Sequence, residues 1–318
     1  MRRSNQLSSI VSMKKYQYRA KEKESTLGEL VDEFMHSQER KGLRYYTLKH
    51  DKEVFRAVFK YISPDTLVNS TTPKLIESNV FDAMRTNGNS AQTINGRRKK
   101  LRQAFAYGVE NGYCNNNPID QIVKMQSNAT AIPSLSISQI HSLLSFPNLE
   151  TFTGQRDRTM MELMLDNGIR LREMLDLTLD QVDLNERVIR KVLGKNRKLE
   201  NLPISKPMCQ RLKHYLEIRG QAETEFLFIS LNGHVISRRT FQERMAEYGR
   251  QAAITDVRVS PHTLRHTFAK QWILSGGDAF TLQRVLRHSS MDMVKRYIHL
   301  WGHEIQERHD IYSPLFQI

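Results

Sequence analysis

The stretch Pro261-His262-Thr263-Leu264-Arg265-His266 puts two imidazoles and a guanidinium at the start of an expected helix. Ser260 is a fitting N-cap and Pro261 a fitting first helical residue. Positions i, i+3 and i+4 share a helix face, so His262, Arg265 and His266 can point the same way. Two histidines four apart also occur in zinc proteases. That chemistry needs a glutamate directly after the first histidine as its base. Thr263 stands there instead, which sets the zinc reading aside. His266 taken alone reads as a packed core histidine.

Three other places hold residues with chemical potential. Tyr297 lies in a basic setting, between Lys295-Arg296 and His299, and His288 precedes it by nine residues. Tyrosine is a rare nucleophile, and alone it would read as core or interface. Gly168-Ile169-Arg170-Leu171-Arg172-Glu173 follows an apolar helix and pairs Arg170 with Glu173 three residues on. Gly194-Lys195-Asn196-Arg197-Lys198 places three cations in a turn. Each of these is weak alone.

Elements that would carry them can be read from caps and periodicity. Thr26 with Glu29 makes a capping box for a first helix, whose stripe is Leu27, Leu30, Val31 and Phe34. A second helix fits residues 47–61, Thr72-Pro73 opens a third, and a fourth spans about 90–109. Residues 126–136 are small, polar and Pro-containing and read as a linker. Val188–Val192 and Leu202–Ile204 flank the basic turn as a β-hairpin, and Leu227-Phe228-Ile229 reads as a further short strand. Asp278 caps a helix ending near Leu286, and Ser290 caps the one holding Tyr297.

The chain of 318 residues carries 48 Lys+Arg against 34 Asp+Glu, a formal net charge of +14. The excess is +5 over residues 1–24, +4 over 25–125 and +5 over 126–318. A positive excess spread along the chain suits a polyanion touching several parts of the protein, nucleic acid first among them. No apolar run reaches the ~18 residues of a membrane span. Residues 1–24 form a basic tail without the apolar stretch of a secretory signal. Cys114 and Cys209 are the two cysteines, too few for a disulfide scaffold or the common zinc modules. Both points lead to the expectation of a cytoplasmic protein.

The order and spacing of Arg170, Lys195, His262, Arg265, His288 and Tyr297 resemble the tyrosine recombinase (phage integrase) family. The resemblance covers residues 137–300 and is densest over 261–269 and 276–300. One position departs: the family usually has glycine before the histidine matching His288, and this chain has Arg287. The resemblance implies a mainly helical α+β fold with a small β-hairpin. A tail at 1–24 would lead into a helical core-binding domain at 25–125. A linker at 126–136 and a catalytic domain at 137–318 would follow, and the two domains would close as a clamp on DNA.

The chemistry implied is cleavage and rejoining of DNA through a 3′-phosphotyrosyl link, without metal, ATP or other cofactor. Tyr297 would be the nucleophile, Arg170 and Arg265 the phosphate-binding guanidiniums, and His262 the general base. Lys195 would protonate the departing 5′-oxygen, His288 would hydrogen-bond the phosphate, and Glu173 would orient the cations. Partners implied are double-stranded DNA at a specific recombination site, a homo-tetramer in the synaptic complex and a directionality factor. The apolar terminal segment 303–318 would dock on a neighbouring protomer. DNA contacts are expected from Arg98, Lys99 and Arg102 with Asn95, on the outer face of the fourth helix whose inner face is Ile94, Leu101 and Phe105. Arg238 and Arg239 at a helix start are further candidates. The competing readings are a type IB topoisomerase-like enzyme and a catalytically inactive DNA-binding protein.

Overall fold

The structure is a computed structural model that describes residues 25–126, 132–193, 199–288 and 290–301. The expectations for the tail 1–24, the turn 194–198 with Lys195, and the terminal segment 303–318 lie outside the described residues. The chain divides into two compact units, Met1–Ala129 and Thr130–Ile318.

The first unit is helical. α1 (Leu27–Arg40) opens with the expected capping box, Thr26 and Glu29 each bonding the other's backbone N–H. α2 (Tyr45–Val58) follows. α3 (Pro73–Ile76), capped by Thr72, runs through a wider π-type stretch (Glu77–Asp82) into α4 (Ala83–Thr86). α5 (Ala91–Glu110) is capped by Ser90. Leu30, Phe34, Phe55, Val80, Met84, Ile94 and Phe105 are buried together as one core.

The second unit begins within the expected linker. Ile132 and Leu135 are buried, and the Leu135 N–H donates to Thr267 Oγ1 at 2.9 Å. Of residues 126–136, therefore, 132–136 belong to the packed unit; their small, polar neighbours masked two apolar anchors. α6 (Ile137–Ser145) and α7 (Phe152–Asn167) precede the short α8 (Leu171–Leu175). A three-stranded antiparallel sheet comes next: β1 (Val182–Asp183), β2 (Val188–Leu193) and β3 (Leu199–Pro203), in that order. Ile189 opposes Leu202, and both are fully buried. The register then shifts before Val192, where Lys191 takes a left-handed φ of 52° and its N–H turns to the Asn201 side chain.

The strand expected at Leu227–Ile229 is not regular. Only single bridges form there, Thr178 with Phe226 and Ile229 with Val235. Its apolar run is nevertheless buried, which explains the strand-like pattern. α9 (Lys206–Arg219), α10 (Arg238–Gln251), α11 (Pro261–Leu274), α12 (Ala279–Leu286) and α13 (Asp292–Trp301) complete the unit. Its main core joins α7, the sheet and α9–α11 through residues such as Met160, Leu212, Phe228 and Leu264. A smaller cluster of Phe268, Ile273, Leu282, Leu286, Val294 and Tyr297 ties α12 and α13 onto α11.

Candidate active site

α7 ends at Gly168, whose φ of 65° lies in the left-handed region. A side chain there would also collide with Leu286 and Phe268, 2.6 and 2.7 Å from an added Cβ. Glycine is thus required twice over, by conformation and by close approach. The sharp exit turns Arg170 to the start of α8. Glu173 then accepts from the Arg170 backbone N–H (3.1 Å) and from its Nη1 (2.8 Å).

The second guanidinium comes from α11. Arg265 is buried, and its Nη1 donates to the carbonyl of Gly168. Its Nη2 donates to the carbonyl of Leu286 at 2.5 Å, while Arg170 Nη2 donates to the next carbonyl, that of Arg287, at 3.2 Å. Consecutive carbonyls at the end of α12 therefore hold both arginines. Burial, then the like charge of Arg170, pushes Arg265 down to about 9, which still leaves it a cation at neutral pH.

Arg287 caps α12 in a left-handed conformation (φ 53°, ψ 49°). Its side chain is 1% exposed and pairs with Glu173 Oε2. This third arginine was visible in the sequence only as a departure from an expected glycine.

His288 follows directly, with its Nδ1 buried and without a hydrogen-bond partner among the described residues. Its ring lies 6.4 Å from that of Tyr297. Tyr297 itself is buried at 1% exposure, and its hydroxyl is 2.8 Å from His266 Nδ1. Burial raises the phenol pKa, against the opposing pull of Arg265, Arg296 and Arg170. Burial, with the charges of His262 and Arg265, holds His266 down to about 4. Burial, with Arg265 and Arg170, does the same to His288.

The sequence assigned the proton of Tyr297 to His262 and a packing role to His266. The structure brings the hydroxyl to His266 instead. His262, one turn earlier on α11, is exposed, and its pKa is lowered by burial of part of the ring and by Arg238, Arg265 and Arg170. The signal that could have found His266 was its i+4 spacing from His262, since both flank Arg265 on one face.

The expected DNA-contact face of α5 needs a larger correction. Arg98 does not point outward: its Nε and Nη2 donate to the Ile122 carbonyl at 2.9 and 2.5 Å. Asn95 exchanges two hydrogen bonds with the Met125 backbone, and Arg102 pairs with Asp120 at 2.5 Å. This face holds down the segment 117–125. Lys99 lies off it and is exposed. Arg238 and Arg239 are both exposed at the start of α10, with Arg239 paired to Glu243 at 2.7 Å. Among the described residues no group of His, Cys, Asp or Glu is placed to hold a metal, and no helix is long and apolar enough to cross a membrane.

Residues 133–303 match the family described as the phage integrase family. The chain belongs to this family of tyrosine recombinases. It is a tyrosine-type site-specific recombinase. It is 33% identical to the tyrosine recombinase XerD of Pseudomonas aeruginosa over 219 residues, 67% of this chain and 73% of that one. It is 29% identical to the tyrosine recombinase XerC of Thermodesulfovibrio yellowstonii over 291 residues, 88% and 94% of the two chains.

The fold matches that of the Tn1549 transposon integrase, solved in complex with transposon right end DNA. The TM-score is 0.74 at 19% identity, over 86% of this chain and 94% of that one. A lambda integrase dimer bound to a COC′ core site gives the same TM-score and identity, with 88% and 97% covered. The topoisomerase-like and inactive readings are not favoured by these relatives.

Proposed function

We propose that this recombinase cuts and rejoins double-stranded DNA at a specific site through a 3′-phosphotyrosyl intermediate. The observation that carries the reading is the double anchoring of Arg170 and Arg265 on the carbonyls of Arg287 and Leu286, which precede Tyr297 by 10 and 11 residues on the same chain. Guanidiniums stay charged and match phosphate oxygens in pairs, so two of them can stabilise the charge of a five-coordinate phosphorus. The fold it shares with DNA-bound integrases supports the same ligand.

In this scheme the Tyr297 oxygen attacks the scissile phosphorus and its proton passes to His266. Lys195 delivers a proton to the departing 5′-oxygen. The ester is conserved in the phosphotyrosyl bond, so rejoining needs no external energy source. His288 and His262 bind phosphate oxygens, and Lys99, Arg238 and Arg239 contact the DNA backbone. Exchanging two duplexes takes four strand cuts, hence four tyrosines and a tetramer of this chain on DNA, inside the cytoplasm. A directionality factor would select which sites are paired and leave this chemistry unchanged.

The test is a nicked suicide duplex made from DNA flanking the gene, incubated without metal or ATP and resolved on denaturing gels. A covalent protein–DNA band with the wild type and none with Tyr297→Phe is expected. Tight, specific binding with no covalent band would sink the proposal.

A further inference from the structure

Glu173 lies between two guanidiniums. Its Oε1 accepts from Arg170 Nη1, and its Oε2 accepts from Arg287 Nη2. The contact with Arg170 fixes that arginine's orientation but also cancels part of its charge, which a phosphate site can ill spare. Arg287 restores the balance. The cluster of Arg170, Arg265, Arg287 and Glu173 has a formal charge of +2, against +1 without Arg287.

Stability does not account for this side chain. Arg287 Nε and Nη1 are buried and have no hydrogen-bond partner among the described residues, and unmet donors destabilise a fold. Its left-handed backbone is a second cost for a residue with a Cβ. Such departures gather where a site needs a group held in place. Burial alone would raise the Glu173 pKa. The charges of Arg287 and then Arg170 bring it below the usual carboxylate range, so Glu173 stays an anion between them.

We infer that Arg287 is a positioning residue of the phosphate site. Its guanidinium offsets the charge of Glu173, so that Arg170 is both fixed by that carboxylate and free to act as a full cation toward phosphate. The inference rests on the recombinase reading above. Charge acting from a poorly solvated position is weakly screened, so its loss is felt at the reaction centre.

The test measures the rate of covalent adduct formation on the nicked suicide duplex, for wild type, Arg287→Met, Glu173→Gln and the double variant. Melting temperatures check that each is folded. Arg287→Gly, which also relieves the left-handed strain, serves should Arg287→Met fail to fold. Removing Arg287 should slow adduct formation by about tenfold or more. Removing Glu173 as well should recover part of that loss, because the carboxylate is then no longer uncompensated. A duplex with an uncharged methylphosphonate at the scissile linkage should shrink the defect, since less positive charge is then required.

An Arg287 variant as fast as wild type would overturn the inference. So would a double variant no faster than the single one. A wild-type protein that binds this duplex yet forms no adduct would bring down the recombinase reading first, an outcome separable from both.

Discussion

The Nδ1 atom of His266 lies 2.8 Å from the hydroxyl oxygen of Tyr297. The pair is enclosed: Tyr297 is fully buried and His266 is half-buried beside it. A neutral imidazole with its proton on Nε2 offers Nδ1 as an acceptor, and a phenol of pKa ~10 needs one at neutral pH. His266→Phe should slow covalent adduct formation by about 10²–10⁴, the usual range for a lost general base. The remaining rate should climb with pH, as hydroxide and buffer take over. His262→Gln should retain the wild-type shape of the pH profile. Equal losses in the two variants, with unchanged profiles, would remove His266 from the proton path.

The same histidines set a pH limit on stability. His266 and His288 are each held down to about 4 in the folded chain, from an ordinary value near 6.5. The unfolded chain therefore binds more protons than the folded one between these values. Stability is full above about pH 6.5 and falls as the pH drops toward 4. Thermal melting of the wild type should decline across that window. Replacing both by glutamine should flatten this part of the curve. A double variant that melts with the same pH slope would show that other groups carry it.

Gly168 is the hinge on which both arginines depend. Its carbonyl accepts from Arg265, and its left-handed turn delivers Arg170. Gly168→Ala forces a Cβ into Leu286 and Phe268 and strains φ, at a cost of about 1–3 kcal/mol for the backbone alone. Melting temperature and adduct rate should fall together. An alanine variant with wild-type stability and rate would show that the helix end relaxes freely.

What was legible in the fold and the site is local. The capping box of Thr26, the N-cap of Ser260 and the shared face of His262 and Arg265 depend on spacing alone. The family resemblance added the order of Arg170, His288 and Tyr297, which local reasoning reads as three weak signals. What stayed hidden depends on long-range partners. Nothing near Arg287 in sequence reveals that its side chain meets Glu173, 114 positions away. Nor does spacing say which of two histidines on one face meets a tyrosine from another helix. The strand expected at Leu227–Ile229 failed for a related reason, since a buried apolar run has the same composition whether or not it pairs.

Arg98 shows that a basic residue is not a surface contact merely by being basic. Helical spacing puts it on the side of α5 that carries Ile94, Leu101 and Phe105, four before it and three and seven after, and there the segment 117–125 returns over the helix and Arg98 binds its carbonyls. Lys99, one position on, remains exposed. The two should separate cleanly by experiment. Arg98→Ala removes charge-assisted hydrogen bonds worth about 1.5–3 kcal/mol and should lower the melting temperature. Lys99→Ala should leave melting unchanged. If Lys99 meets a DNA phosphate, the same variant should weaken binding and reduce the slope of log affinity against log salt by about one. Fluorescence anisotropy over a salt series on the suicide duplex, beside melting of both variants, decides between them. A stable Arg98→Ala chain with a reduced salt slope would return Arg98 to the DNA face, against the contacts described.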